Sequence, residues 1–168
     1  MFEYPKKFTN YQLDRILTLF KIQIKSMISA QIAENPNMRE KDFEYTKWRW
    51  DLPELMVRWY KNHIGRNIVI TISEYDINIE CNAWQDIDTM DSKKENRLRK
   101  WSHKKIARLS LNEIYENYNI RDFNELYDRL SEENNNGFFL YQYLYKAYDI
   151  VDNWIERDLN NKTDIKIY

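Results

Sequence analysis

The chain has 168 residues, 43% of them hydrophobic, 15% aromatic and 32% charged. That much apolar and aromatic surface can offset the conformational entropy of folding, which excludes a disordered chain, and the length suits one domain rather than two. With 26 Lys and Arg against 27 Asp and Glu, the net charge of −1 excludes a global field that would draw the whole molecule to nucleic acid or an anionic membrane.

The opening MFEYPKKFTN has no apolar stretch of the secretory kind, and nowhere does an apolar run approach the ~20 residues that span a bilayer. A cytoplasmic location is expected, and the single cysteine, Cys81, agrees with a reducing compartment because it has no internal disulfide partner. The first periodic segment covers residues 10–34. Leu13, Ile16, Leu17, Phe20, Ile24, Met27 and Ile28 recur at helical spacing, Asn10 is a suitable N-cap, and Asn35-Pro36 supplies the stop. Residues 43–50 (FEYTKWRW) partly alternate aromatic and charged side chains, which predicts a strand, with a short helix as the alternative. In Asp51-Leu52-Pro53-Glu54 a capping-box spacing holds a proline. A helix over 53–64 is expected from it, with Leu55, Met56, Trp59 and Tyr60 on its apolar face and His63-Ile64-Gly65 as its glycine-capped end. The clearest β signal follows. Ile68, Ile70 and Ile72, then Ile77, Ile79, Cys81 and Ala83, alternate on either side of a short polar turn and predict an antiparallel hairpin over 67–84.

From 86 to 109 the hydrophobic period is poor and the charge heavy, so this part is expected to be a basic connector. Beyond it, Ser110-x-x-Glu113 and Asp122-x-x-Glu125 are capping-box spacings that open helices over 111–118 and 123–132. The NNNG of residues 134–137 marks a turn, a last helix covers 138–159, and the tail is left to fray or add an edge strand. The fold expected is α+β: an antiparallel hairpin or small sheet packed against about five helices, with a helical C-terminal half.

Chemistry is marked more by absence than by motif. With only two glycines, Gly65 and Gly137, the chain lacks the loops that cradle phosphates or form oxyanion nests, so nucleotide-dependent catalysis is not expected. Asp86, Asp88 and Asp91 cluster three carboxylates, yet their spacing fails the calcium-loop pattern and reads as a solvated turn. The acid-x-Lys fragments at Asp91-Ser92-Lys93 and Asp164-Ile165-Lys166 are too short to carry a nuclease assignment. Cys81 with His63 or His103 would make a thiolate-imidazole pair only if the cysteine were accessible, and its place in an alternating strand reads as a small buried hydrophobe. No catalytic residue, metal site or cofactor is expected. The paired helices after 110 resemble a helix-turn-helix only in outline, because Asp122, Glu125 and Asp128 occupy the helix that would face DNA.

One stretch stands apart. Residues 93–108 (KKENRLRKWSHKKIAR) carry eight Lys and Arg against Glu95 alone, a net +7 that leaves −8 on the rest of the chain. Arg97, Arg99, Lys100, Trp101, Lys104 and Lys105 are the candidate partner-binding residues there. Trp48, Arg49 and Trp50 form a second candidate group, in which an extended backbone would set both indoles on one face. Arg, Trp and Tyr recur at interface hot spots, and the chain holds six Trp and thirteen Tyr. The function expected is non-enzymatic macromolecule binding, as an inhibitor, immunity protein or phage anti-defence factor, with a toxin, nuclease or defence complex as the protein partner and no membrane partner. The alternative is a nucleic-acid-binding accessory protein using 93–108, and a small metal-dependent nuclease is the third reading.

Overall fold

The computed structural model describes residues 8–34, 37–48, 53–87, 96–135, 140–159 and 163–167. It is α+β. Six antiparallel strands, β1 (Glu44–Trp48), β2 (Glu54–Lys61), β3 (Ile64–Ile72), β4 (Asp76–Ile87), β5 (Asn96–Ser110) and β6 (Thr163–Ile167), form one sheet in the order β1-β2-β3-β4-β5-β6. Four α-helices, where about five were expected, are present among the described residues: α1 (Asn10–Glu34) before the sheet, then α2 (Leu111–Asn117), α3 (Phe123–Asn135) and α4 (Tyr141–Asp152) between β5 and β6, with single 3-10 turns at Glu40–Asp42 and Glu156–Asp158.

The long α1 forms where its periodicity predicts. Its cap is one residue earlier than expected: Thr9 Oγ1 accepts from the backbone N–H of Gln12 at 3.1 Å, and Gln12 Oε1 accepts from that of Thr9 at 2.9 Å, a reciprocal box. Ser110 and Asp122 cap α2 and α3 as their spacing predicts, accepting from Glu113 N at 3.4 Å and Glu125 N at 3.0 Å.

Three expectations are corrected. The expected helix over 53–64 is strand β2, because Leu55, Val57 and Trp59, each fully buried, are spaced by two rather than by three or four. Its N-terminal signal, Asp51-Leu52, lies outside the described residues. The supposed glycine-capped end is a two-residue hairpin turn in which Lys61 pairs with Ile64, while Asn62 and His63 take φ of 54° and 63°. Positive φ at both central residues matches the right-handed twist of the flanking strands, and Asn tolerates it better than most residues. The expected connector over 86–109 takes in the end of β4 and all but the last residue of β5, whose poor helical period reflects extended backbone carrying charge on both faces. Finally, the last helix ends at Asp152 instead of residue 159, and the tail adds β6 to the free side of β5. The NNNG turn overlaps the end of α3 at Asn134 and Asn135, and the rest of it, with Gly137, falls outside the described residues.

The two faces of the sheet differ in kind. On one, Leu55, Val57, Trp59, Ile68, Ile70, Ile72, Ile77, Ile79, Cys81 and Ala83 join Ile16, Phe20, Ile24 and Met27 of α1 and Leu144, Ala147 and Val151 of α4 in a single core cluster. Because Phe20 has no exposed surface in that cluster, Phe20→Ala is expected to cost ~3 to 5 kcal/mol by loss of transfer energy and by the cavity it leaves. Denaturant unfolding checks it. An unchanged midpoint would mean that α1 does not present this face to the sheet.

At the β2–β3 end of the core a polar network ties the sheet to α4. Arg66 is buried and spans from β3 to the end of α4: its Nη1 donates to the carbonyls of Val151, Asp152 at 3.1 Å and Trp154 at 2.9 Å, and its Nη2 to that of Lys61 at 3.1 Å. Asp152 in turn accepts from Trp59 Nε1 at 3.1 Å and from Lys61 Nζ at 2.8 Å. A cation thus meets the carbonyls at the negative end of the α4 dipole, that of Asp152 also accepting from Lys61 Nζ at 3.0 Å. Trp59 also stacks on Tyr148, with ring centroids 5.3 Å apart.

Candidate functional site

The reverse face of the sheet is built from the alternate residues of the same strands. Val69 and Trp84 are buried on it yet belong outside the core cluster. Register sets its side chains in cross-strand rows. The first is Tyr60, Gly65, Trp84 and Trp101 on β2 to β5; next comes Arg58, Asn67, Asn82 and His103; then Met56, Val69, Glu80 and Lys105; and then Glu54, Thr71, Asn78 and Arg108. Neighbours in a row stand close enough for side chains to interact directly.

The first row is an aromatic platform. Trp84 and Trp101 are Cα partners, Tyr60 meets the Trp84 ring edge-on at 5.6 Å, and His103 stacks on Trp101 at 5.4 Å. Gly65 has a specific task here. A Cβ on it would lie 2.2 Å from Cζ2 of Trp84, so only glycine lets that indole lie down across β3. Two guanidiniums hold the same ring, Arg58 at 4.8 Å and Arg99 at 5.2 Å from its centroid. Both are themselves oriented: Arg58 Nε donates to Asn67 Oδ1 at 3.1 Å, Asn67 Nδ2 to Asn82 Oδ1 at 2.6 Å, and Arg99 Nε to Asp86 Oδ1 at 2.9 Å. Tyr60 keeps 59% of its surface exposed, while Trp84 keeps 8%. The result is a rigid base of packed indole and guanidinium under an exposed tyrosine, imidazole and partly exposed second indole.

The basic stretch is divided by strand alternation. Arg99, Trp101, His103 and Lys105 fall on this open face, whereas Lys100 and Lys104 fall on the core side of the sheet, opposite Gln85 and Cys81. Lys100 Nζ stands 3.8 Å from Glu156, and Lys104 is exposed. Arg97 lies in β5, paired through its backbone with Lys166. Trp48 ends β1, and Arg49 and Trp50 lie outside the described residues. The structure therefore brings three of the nine candidate residues together on one described surface and adds Tyr60, Arg58, Trp84 and His103, which sequence reasoning had left out. Tyr60 and Arg58 were hidden by the helical reading of β2. Trp84 was hidden at the end of the hairpin, where the alternation alone would have placed it across from the core.

Cys81 is fully buried on the core face, and burial pushes its thiol up to about 11, with Lys104 pulling the other way. It is protonated at neutral pH and stands on the opposite face from His103, while His63 sits in the β2–β3 turn. The imagined thiolate-imidazole pair does not form. Asp86 is the partner of Arg99, and Asp88, Asp91, Ser92 and Lys93 lie outside the described residues; among those described, no three His, Cys, Asp or Glu side chains are grouped to hold a metal ion. No described helix is long and apolar enough to cross a membrane. Family models, curated proteins and solved structures offer no match to this chain.

Proposed function

We propose that the protein acts by binding, without catalysis, and that its open sheet face docks a protein partner, as an inhibitor, immunity protein or anti-defence factor does to a toxin, nuclease or defence complex. The supporting observation is the row of Tyr60, Trp84 and Trp101 held by Arg58 and Arg99 on a face that takes no part in the core. Rigid aromatic and arginine side chains give large contact area at low entropic cost, which is the composition of interface hot spots. A protein partner is favoured over nucleic acid by charge. Among the described residues of this face, Arg58, Arg99, Lys105 and Arg108 are equalled in number by Glu44, Glu54, Glu80 and Asp86, so that part of the face carries no strong positive field. Tracking a phosphate backbone requires such a field.

The test is partner capture by crosslinking in the native cells, followed by binding kinetics on the purified pair. Tyr60→Ala and Trp101→Ala are each expected to quicken dissociation, costing ~2 kcal/mol or more, and Arg58→Glu chiefly to slow association. Lys104→Glu, on the other side of the sheet, is expected to change neither. Equal effects of Lys104→Glu and the open-face variants would overturn the assignment, as would tight binding to homopolymeric oligonucleotides that falls steeply with salt.

A further inference from the structure

Residues three apart on a regular strand point to opposite faces, yet Lys105 and Arg108 share one. The reason is a β-bulge. Ile79 pairs with Ala107 and Glu80 with Lys105, so Ile106 is an extra residue on β5, and beyond it Arg108 comes opposite Asn78 on the same face as Lys105. The two cations of β5 line one side of a depression of about 590 Å³, which continues over Asp76, Asn78 and Glu80 of β4 to Thr71 of β3.

The charges in it are poised and incompletely used. Arg108 Nε donates to Asp76 Oδ2 at 2.5 Å, and Asp76 is itself held by Ser73 Oγ at 3.1 Å and Asn78 Nδ2 at 2.8 Å. Although burial alone would raise the Asp76 carboxyl, the hydrogen bonds from Arg108, Ser73 and Asn78 lower it on balance, so the guanidinium is anchored by an ionised group. Its side chain is still 77% exposed, with its terminal nitrogens turned to no acceptor among the described residues. Lys105 and Glu80 are cross-strand partners but form no ion pair with each other or with another described residue. Glu54 lies two strands away on the same face, and its carboxyl is raised by burial and then by Glu80, so two carboxylates share this part of the face.

We propose that this depression is a binding site for a small zwitterion of the amino-acid class, its carboxylate on Lys105 and Arg108 and its ammonium on Glu80. An anion alone would leave Glu80 facing it, and a cation alone would face Lys105 and Arg108. A dipolar ligand satisfies the charges of both signs through charge-assisted hydrogen bonds. The proposal stands apart from the partner-docking reading, because it uses the bulge end of the sheet and a ligand that the aromatic row does not touch.

The experiment is amide-resolved NMR titration of the full chain with glycine, β-alanine and γ-aminobutyrate, beside acetate and methylammonium as single-charge probes. At least one zwitterion is expected to give saturable shifts at Thr71, Asn78, Glu80, Lys105 and Arg108, with affinity about tenfold or more above either single-charge probe. Lys105→Gln and Glu80→Gln, both at surface positions whose folding the same spectra verify, are each expected to abolish that preference. The proposal is overturned if no zwitterion saturates, if acetate binds as tightly, or if Glu80→Gln leaves the preference intact. Partner binding measured with Tyr60→Ala is indifferent to all these outcomes, which separates the two readings.

Discussion

Arg66→Met is expected to lower the unfolding free energy by about 3 to 5 kcal/mol, the range for removing one member of a buried ionic network. Methionine fills similar volume, so the loss would come from chemistry and not from a cavity. Four carbonyls, those of Val151, Asp152, Trp154 and Lys61, would lose their common donor, although Val151 keeps the N–H of Trp154 and Asp152 keeps Lys61 Nζ, and the Asp152 carboxylate would have Lys61 alone to answer its charge. Each buried acceptor left unpaired carries a desolvation penalty of ~1 to 3 kcal/mol, which the relaxing α4 terminus would partly recover by admitting water. Urea unfolding measures the loss, and Lys61→Ala, which removes only the more exposed cation, serves as the comparison. A loss for Arg66→Met below ~1 kcal/mol would show that the α4 terminus is satisfied without the guanidinium.

Gly65→Ala is expected to act on the opposite face, and through a single ring. The new methyl would occupy the place of the Trp84 six-membered ring, and backbone on a central strand has no room to retreat. Overpacking of this kind costs ~1 to 3 kcal/mol, and here the indole is the movable part. Trp84 would lift away from Arg58, Arg99 and Tyr60, seen as a shift in tryptophan emission toward that of an exposed indole and a weaker hold on the partner. Combining Gly65→Ala with Trp84→Leu should recover stability relative to the sum of the two single changes, with a coupling above ~0.5 kcal/mol, since the clash exists only when both groups are present. Additive effects would mean that the glycine and the indole do not meet.

The fold class, the long first helix, the central hairpin and the two capped helices after it were legible because their cues are local: a period over many turns, β-branched alternation, and side-chain caps at fixed spacing. β2 was misread because Leu55, Met56, Trp59 and Tyr60 satisfy a helical spacing as well as a strand does, and only pairing on both sides, with β1 and β3, decides between them. Its turn carried a usable hint in Asn62, a residue suited to positive φ. β5 was obscured by charge. On its core side Ser102 is buried but Lys104 is exposed, so the alternation of burial that marks a strand is broken along its length. For the candidate site, Arg99, Trp101 and Lys105 were visible as types, but their division from Lys100 and Lys104 needed the strand, and the depression at Lys105 and Arg108 needed a bulge that no residue at 106 announces.

Strand order in this sheet follows chain order from β1 to β5, so each strand can add to an edge completed just before it. Closure of these connections costs little entropy because the loops between strands are short, and proteins dominated by such neighbouring contacts fold quickly for their size. β6 breaks the pattern: it reaches β5 only after α2, α3 and α4 have been threaded between them. A chain emerging from its N-terminus can therefore grow most of its sheet by accretion, and until β6 arrives the outer edge of β5 is an open template for pairing with another molecule. Once it docks, β6 pairs the Asn96–Lys100 end of that edge and removes that part of the template.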